Sequence, residues 1–141
     1  MTAHQATAVA IGGRALLIEG APGTGKSSLA LALIDRGAAL IGDDAVMLDH
    51  AEGVLLASPH PRVAGLIEVR NVGLIAMPTV GKVPVALVLR LDPQAPRHVE
   101  AADIVERAGV ALPLLRLWPD SPVLALRAEI ALERYGLHAQ K

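Results

Sequence analysis

Eight consecutive residues, Gly20-Ala21-Pro22-Gly23-Thr24-Gly25-Lys26-Ser27, constrain this chain more than any other stretch. They fit G-x-x-x-x-G-K-[ST], a phosphate-binding loop, and that motif requires a strand before it and a helix after it. Arg14-Ala15-Leu16-Leu17-Ile18-Glu19 reads as the strand, and Ser27 to Arg36 reads as the helix. Glycines let the backbone turn tightly and aim successive N–H groups at an anion. The helix start adds the positive end of its dipole. Lys26 is placed to reach the β- and γ-phosphates of a nucleotide, and the Ser27 hydroxyl to ligate Mg²⁺. The phosphate-binding set is Gly20 to Ser27, with Ser28 following on the helix. A glycine turn that merely caps a helix is the rival reading, and the full match in its proper setting argues against it.

The rest of the chain shows how this unit is packed. Thr7 to Ile11 is short and apolar, and Gly12-Gly13 is a two-residue turn signal, so residues 7–19 read as a hairpin. An antiparallel partner for the motif strand predicts an α/β fold with a mixed sheet. Gly37 is placed to stop the first helix. Ala38 to Ile41 reads as a buried strand, with further strands at Ala45 to Leu48 and Gly53 to Ala57. Ser58-Pro59-His60-Pro61 reads as a loop, because prolines are excluded from central strands. Gly65 to Arg70 and Leu74 to Met77 read as strands interrupted at Asn71-Val72-Gly73. Val85 to Leu91, the longest β-branched run, reads as central.

Residues 92–100 are polar and proline-bearing, an exposed or mobile loop. Ala101 to Ala108 is read as a short turn or helix, and Leu112 to Leu117 as the last strand. Ser121 is expected to cap a final helix with Pro122 at its first position. Val123, Leu124, Leu126, Ile130, Ala131 and Leu132 are expected to face the core. Arg127, Glu129, Glu133 and Arg134 are expected outside, and Gly136 at the end. No domain boundary is visible, so residues 1–141 read as one domain.

Composition narrows the function classes. Of 141 residues 52% are hydrophobic, enough for a globular core, yet there is no Phe and only one Trp and one Tyr. So few rings argue against binding single-stranded nucleic acid by stacking. A net charge of −1 without a basic run gives no reason to expect DNA or RNA. There is no Cys, which closes thiolate chemistry. No signal peptide or membrane span is visible, so a cytoplasmic protein is expected.

Two further features bear chemistry. Asp43-Asp44 follows the strand at Ala38 to Ile41. One carboxylate at a strand end can hold Mg²⁺ through water, and the other can act as general base on an attacking hydroxyl. Glu68 and Arg70 lie two residues apart, on one face of a strand. By spacing alone they read as an ion pair on a solvated face; the functional alternative is a grip on metal and phosphoryl oxygens. The five histidines lack metal-ligand spacing. His4 reads as part of a free tail, His60 as a weak candidate for a substrate contact, and Trp118 and Tyr135 as packing residues.

Taken together, Gly20–Ser27, Leu33-Ile34-Asp35-Arg36-Gly37-Ala38, Leu40-Ile41-Gly42-Asp43-Asp44 and Ala64-Gly65-Leu66-Ile67-Glu68-Val69-Arg70-Asn71-Val72-Gly73 resemble the HPr kinase/phosphorylase family. The chain looks most like the short α-proteobacterial form, which has the catalytic domain alone. The resemblance implies a fold like the nucleotide domain of phosphoenolpyruvate carboxykinase. It also implies an ATP- and Mg²⁺-dependent serine kinase for an HPr-like phosphocarrier of the phosphotransferase system, regulating carbon or nitrogen metabolism. By resemblance Lys26 binds phosphates, and Ser27, Glu68 and Asp43 belong to the metal site. Asp43 is the acid/base, Asp44 assists it, and Arg70 joins the catalytic set. Full-length members reverse the reaction with inorganic phosphate and form hexamers, so a homo-oligomer is expected. Three positions depart from the pattern: Asn71 replaces a glycine, Gln5 replaces a histidine with His4 one residue early, and Pro119-Asp120-Ser121-Pro122 lacks an arginine. They weigh against the reverse reaction and motivate a rival, a regulatory module that senses ATP or phosphate without catalysis.

Overall fold

The computed structural model describes residues 1–138. In chain order the elements are β1 (Thr2–His4), β2 (Thr7–Ile11), β3 (Arg14–Gly20), α1 (Lys26–Asp35), β4 (Ala39–Gly42), β5 (Val46–Ala51) and β6 (Val54–Pro59). They continue with β7 (Leu66–Val69), β8 (Gly73–Ala76), β9 (Val83–Leu91), β10 (Asp103–Arg107), β11 (Val110–Leu117) and α2 (Leu124–Tyr135).

β2 and β3 form the hairpin that Gly12-Gly13 predicts. Both glycines take positive φ, 57° and 81°, in a turn whose twist matches the flanking strands. β3 pairs β2 antiparallel on one edge and β9 parallel on the other, so the sheet is mixed. Its order is β1-β5-β6-β9-β3-β2-β4. β9 is central and forks the sheet. Its first residues pair β6 through Val83 and Pro84, and its last pair β11 from Val88 to Leu91. β10 lies antiparallel on β11. β7 and β8 form a separate hairpin whose Ile67 and Ile75 pack into the core that α1 covers.

Alternate residues of β3 serve two cores. Leu16 and Ile18 join Leu87, Leu89, Leu29, Leu33 and Leu132 beneath the two helices. Ala15 and Leu17 join Val88, Leu48, Leu55 and Leu112 on the other face, where the sheet curls over itself. A strand buried on both faces reads as an unbroken apolar run, as Val85 to Leu89 does. α1 stops where Gly37 predicts. The Gly37 N–H donates to the Ile34 carbonyl and the Ala38 N–H to that of Leu33, the paired bonds that close a helix at a left-handed residue.

Four expectations are corrected. Ala101 to Ala108 contains strand β10, whose hairpin turn is Ala108-Gly109 at φ 48° and 82°. Ser58 and Pro59 belong to β6, with Pro59 as its last residue paired only to Val46 of β5, where a missing N–H costs no bond on the other side. α2 begins after Val123; Ser121 and Pro122 lie in the preceding turn, where the Val123 N–H donates to Ser121 Oγ. Val123, Leu126 and Ile130 are 40%, 41% and 63% exposed. At 3.6 residues per turn Leu126 and Ile130 lie roughly 200° to 240° around the helix from Leu124, and only the face of Leu124, Ala128, Ala131 and Leu132 is buried.

Candidate functional site

The parallel strands β3 and β9 end side by side at Gly20 and Leu91, and ligands gather at the carboxyl ends of such strands. The chain leaves β3 at Gly20 with φ 153°, where an added Cβ would meet Thr24 Oγ1 at 2.8 Å and the Leu91 carbonyl at 3.0 Å. The loop therefore lies tightly against β9. Gly23 and Gly25 take φ of 82° and 99°, with nothing within 4 Å of an added Cβ. Lys26 Nζ spans the loop, donating to the Gly20 carbonyl at 2.9 Å and the Ala21 carbonyl at 3.2 Å.

Gly25 is the N-cap of α1. No side chain caps that end, and no acidic residue sits in the first turn. A helix N-terminus left with free N–H groups is an anion site, so the loop fits a phosphate chain.

Asp43 is the other pole. It is 9% exposed and is fixed from three elements. Its Oδ1 accepts from Ser27 Oγ of α1 at 2.6 Å and from Thr7 Oγ1 of β2 at 3.1 Å. Its Oδ2 accepts from the Glu68 N–H of β7 at 2.9 Å. Gly42 makes this possible: a Cβ there would lie 2.6 Å from the Ala45 carbonyl, so only glycine lets the chain turn this sharply after β4. Asp44 follows at φ 67°, and its N–H donates to Thr7 Oγ1 at 3.2 Å.

Around these residues lies a cleft of about 230 Å³, lined by the loop, Thr7, Ser27, Ser28, Asp43, Asp44, Glu68 and Arg70. The sequence candidates thus meet in one place. The solvated ion pair between Glu68 and Arg70 is not formed: among the described residues neither has an ion-pair partner. Arg70 stands just beyond β7, in a turn that Asn71 completes at φ 69°. Asn tolerates that conformation better than most residues, which accounts for its standing where a glycine was expected.

Ser27, Asp43 and Glu68 offer one hydroxyl and two carboxylates. Among the described residues no three His, Cys, Asp or Glu side chains cluster to hold a metal ion. Mg²⁺ keeps several waters and takes phosphate oxygens besides one or two carboxylates, so this small donor set suits it.

A second cavity, of about 720 Å³, opens on the sheet face away from the helices and shares Pro22, Lys26 and Asp44 with the cleft. Its floor was not anticipated. His4 is no free tail: it sits on β1, paired with β5, and its Nε2 lies 2.8 Å from Glu19 Oε2. Arg107 of β10 grips the same carboxylate, Nε to Oε2 at 2.9 Å and Nη2 to Oε1 at 2.7 Å. Burial pushes the Glu19 carboxyl up, but the hydrogen bonds and charges of Arg107 and His4 prevail and hold it at about 2. Gln5, in the expected place of a histidine, lines this cavity too. His60 lines neither space; its Nδ1 accepts from the Arg62 N–H.

A family model described as HPr Serine kinase C-terminal domain matches residues 1–86. An HPr kinase/phosphorylase of Clostridium tetani is 44% identical over 68 residues, 48% of this chain and 22% of that protein. One of Clostridium acetobutylicum is 43% identical over 72 residues, 51% of this chain and 24% of that one. The chain thus spans about a quarter or less of the length of these curated relatives. The solved HPr(Ser) kinase/phosphatase of Coxiella burnetii superposes with a TM-score of 0.83 at 26% identity, covering 94% of this chain and 95% of that one. The P-loop α/β fold with a mixed sheet, expected from the sequence, is the fold of that structure.

Proposed function

The chain belongs to the HPr serine kinase C-terminal domain family, and on that premise we propose that it is an ATP-dependent protein-serine kinase acting on an HPr-like phosphocarrier of the phosphotransferase system. The observation that carries the reading is the placement of Asp43. Its carboxylate touches the Ser27 hydroxyl of the phosphate loop and is held by Thr7 and the Glu68 N–H. A carboxylate so held beside a transferring phosphoryl group is placed to accept the proton of an attacking hydroxyl.

The acceptor serine Oγ attacks the γ-phosphorus, the bond to the β-phosphate oxygen breaks, and ADP leaves. Asp43 receives the serine proton and returns it to solvent. Asp44, on the same turn, lines both cavities and assists in orienting the hydroxyl. Lys26 and the loop N–H groups meet charge on the phosphates. Ser27, Glu68 and Asp43 would hold Mg²⁺, which when bound neutralises phosphoryl oxygens. Arg70, which lines the same cleft, adds a second cation. With so loose a transition state, positioning and electrostatics supply most of the acceleration.

Regulation of carbon or nitrogen metabolism follows if the carrier is a regulatory phosphocarrier. No described helix is long and apolar enough to cross a membrane. The exposed stripe of Leu126 and Ile130 on α2, with Val123 just before it, is the face that a second copy would cover in a homo-oligomer.

Transfer from labelled ATP to the cognate carrier tests the reading. Asp43→Asn should abolish transfer and keep nucleotide binding within about threefold. Undiminished transfer in that variant would overturn the role of Asp43. ATP binding by the unmodified chain without transfer to any carrier would favour the sensor reading.

A further inference from the structure

We propose that the notch between α1 and the segment preceding and opening α2 holds the nucleobase of the bound nucleotide. The proposal rests on reading the loop as an ATP site and adds where the base lies. Loop N–H groups and Lys26 fix only the phosphates, so the nucleoside must leave the loop along one of its flanks. Among the described residues the loop adjoins three cavities of different chemistry.

The first is the cleft of Asp43, Asp44 and Glu68. Its carboxylates suit a cation and a hydroxyl, and offer an uncharged ring no apolar wall. The second is the cavity over the opposite sheet face, floored by Glu19, Arg107, Arg90 and His4. A base buried there would desolvate charged groups without pairing them, at a cost that apolar contact does not offset.

The third is a notch of about 210 Å³, lined by no charged side chain. One wall is α1. Gly25, Ser28, Leu29 and Ala32 follow one another at helical spacing and share a face. The small side chains of Ser28 and Ala32 leave the helix surface bare enough for a flat ring to lie on it. The facing wall is Pro119, Pro122, Leu124 and Ala125. Pro119 to Pro122 is one of the three places in which the sequence departs from the pattern it resembles, and here the departure contributes to an apolar wall.

The notch also begins where the phosphates end. Gly25 and Ser28 line both it and the acid-bearing cleft, so a nucleotide whose phosphates follow the loop toward the uncapped start of α1 reaches the notch directly. Only the hydroxyls of Ser28 and Ser121 stand among its side chains to meet ring nitrogens. Apolar walls with a few polar groups are the usual make-up of a ligand pocket.

The test compares ligands that share phosphates and differ in the base. Isothermal titration with Mg²⁺ present would measure ATP and inorganic tripolyphosphate against the unmodified chain and Ala32→Phe, an exposed position where the new ring fills the notch. ATP should weaken by about tenfold or more while tripolyphosphate stays within about twofold; the second result also shows that the variant is folded. Equal losses for both ligands, or none for ATP, would overturn the proposal. Arg90→Ala, on the other cavity, should leave ATP unchanged, and a reversed pattern between the two variants would put the base over the sheet. Photolabelling with 8-azido-ATP should mark the tryptic peptides that form the two walls, Ser27 to Arg36 or Leu117 to Arg127, and label confined to other peptides would refute it. These are binding readouts: a chain that binds ATP in this way yet phosphorylates no carrier keeps the proposal and loses the kinase reading. Failure to bind either ligand overturns both.

Discussion

Arg107→Met probes the least expected part of the structure. Glu19 is 8% exposed and lies one residue before Gly20, where the phosphate loop begins. Arg107 gives it two charge-assisted bonds, at 2.9 and 2.7 Å. His4 faces it from β1 at 2.8 Å, and Arg90 of β9 stands beside it in register. Its pKa of about 2 lies below the ordinary 4.5. At about 1.4 kcal/mol per unit, that depression is worth roughly 3 kcal/mol. A depressed carboxylate stabilises the fold fully above the ordinary value, and this contribution is lost as pH falls from 4.5 through about 2. With Arg107 removed, burial becomes the dominant influence and should raise the carboxyl above its unfolded value. The penalty is then largest near neutral pH and eases on acidification, as Glu19 protonates. Urea unfolding should show a loss of about 3–5 kcal/mol near pH 7 and a smaller loss near pH 5. Glu19→Gln combined with Arg107→Met should recover much of the loss, because no buried charge remains. A loss below about 1 kcal/mol, or one that grows on acidification, would refute the account.

Two other variants probe the site and the surface. Thr7→Val removes the hydroxyl that donates to Asp43 and accepts from the Asp44 N–H; stability should fall by about 1–2 kcal/mol and kcat by about tenfold, with ATP affinity kept, and an unchanged kcat would count against the positioning role. Ile130→Lys puts a charge in the most exposed position of the α2 stripe and should lower the mass read by light scattering, whereas an unmodified chain already monomeric at working concentration would remove the proposed interface.

What was legible in the sequence was what short-range physics dictates. The loop, its helix and the hairpin before it are written in glycines whose left-handed conformations the structure shows at Gly12, Gly13, Gly25 and Gly37. Asp43 and Asp44 stood out because two acids end an apolar strand, and Glu68 and Arg70 because they interrupt one. The failures have the opposite character. β10 went unread because its turn contains Ala108, a poor residue for φ 48°, and because its partner strand declares itself only afterwards. α2 carries apolar residues on two faces, and a single chain does not say which face the sheet will take. β1, three residues long, is too short for any periodicity.

Glu19 lies between these cases. A carboxylate closing an apolar strand is an anomaly visible in the sequence, since a buried charge is costly without a partner. It could have been flagged, but not resolved, because Arg107 lies 88 residues further on and His4 15 residues back. Only the topology joins them: β9 stands between β3 and β11, β10 folds back along β11, and β1 joins the far edge of the sheet. Thr7 reaches Asp43 more directly, because β2 pairs β4 with Ala8 opposite Gly42. The phosphate loop is therefore local in its own conformation and non-local in what steadies it. Substitutions far from it in sequence, at positions 4, 7 and 107, should disturb it more than substitutions in the exposed loop at 97–100 nearby in the chain's numbering to Arg107.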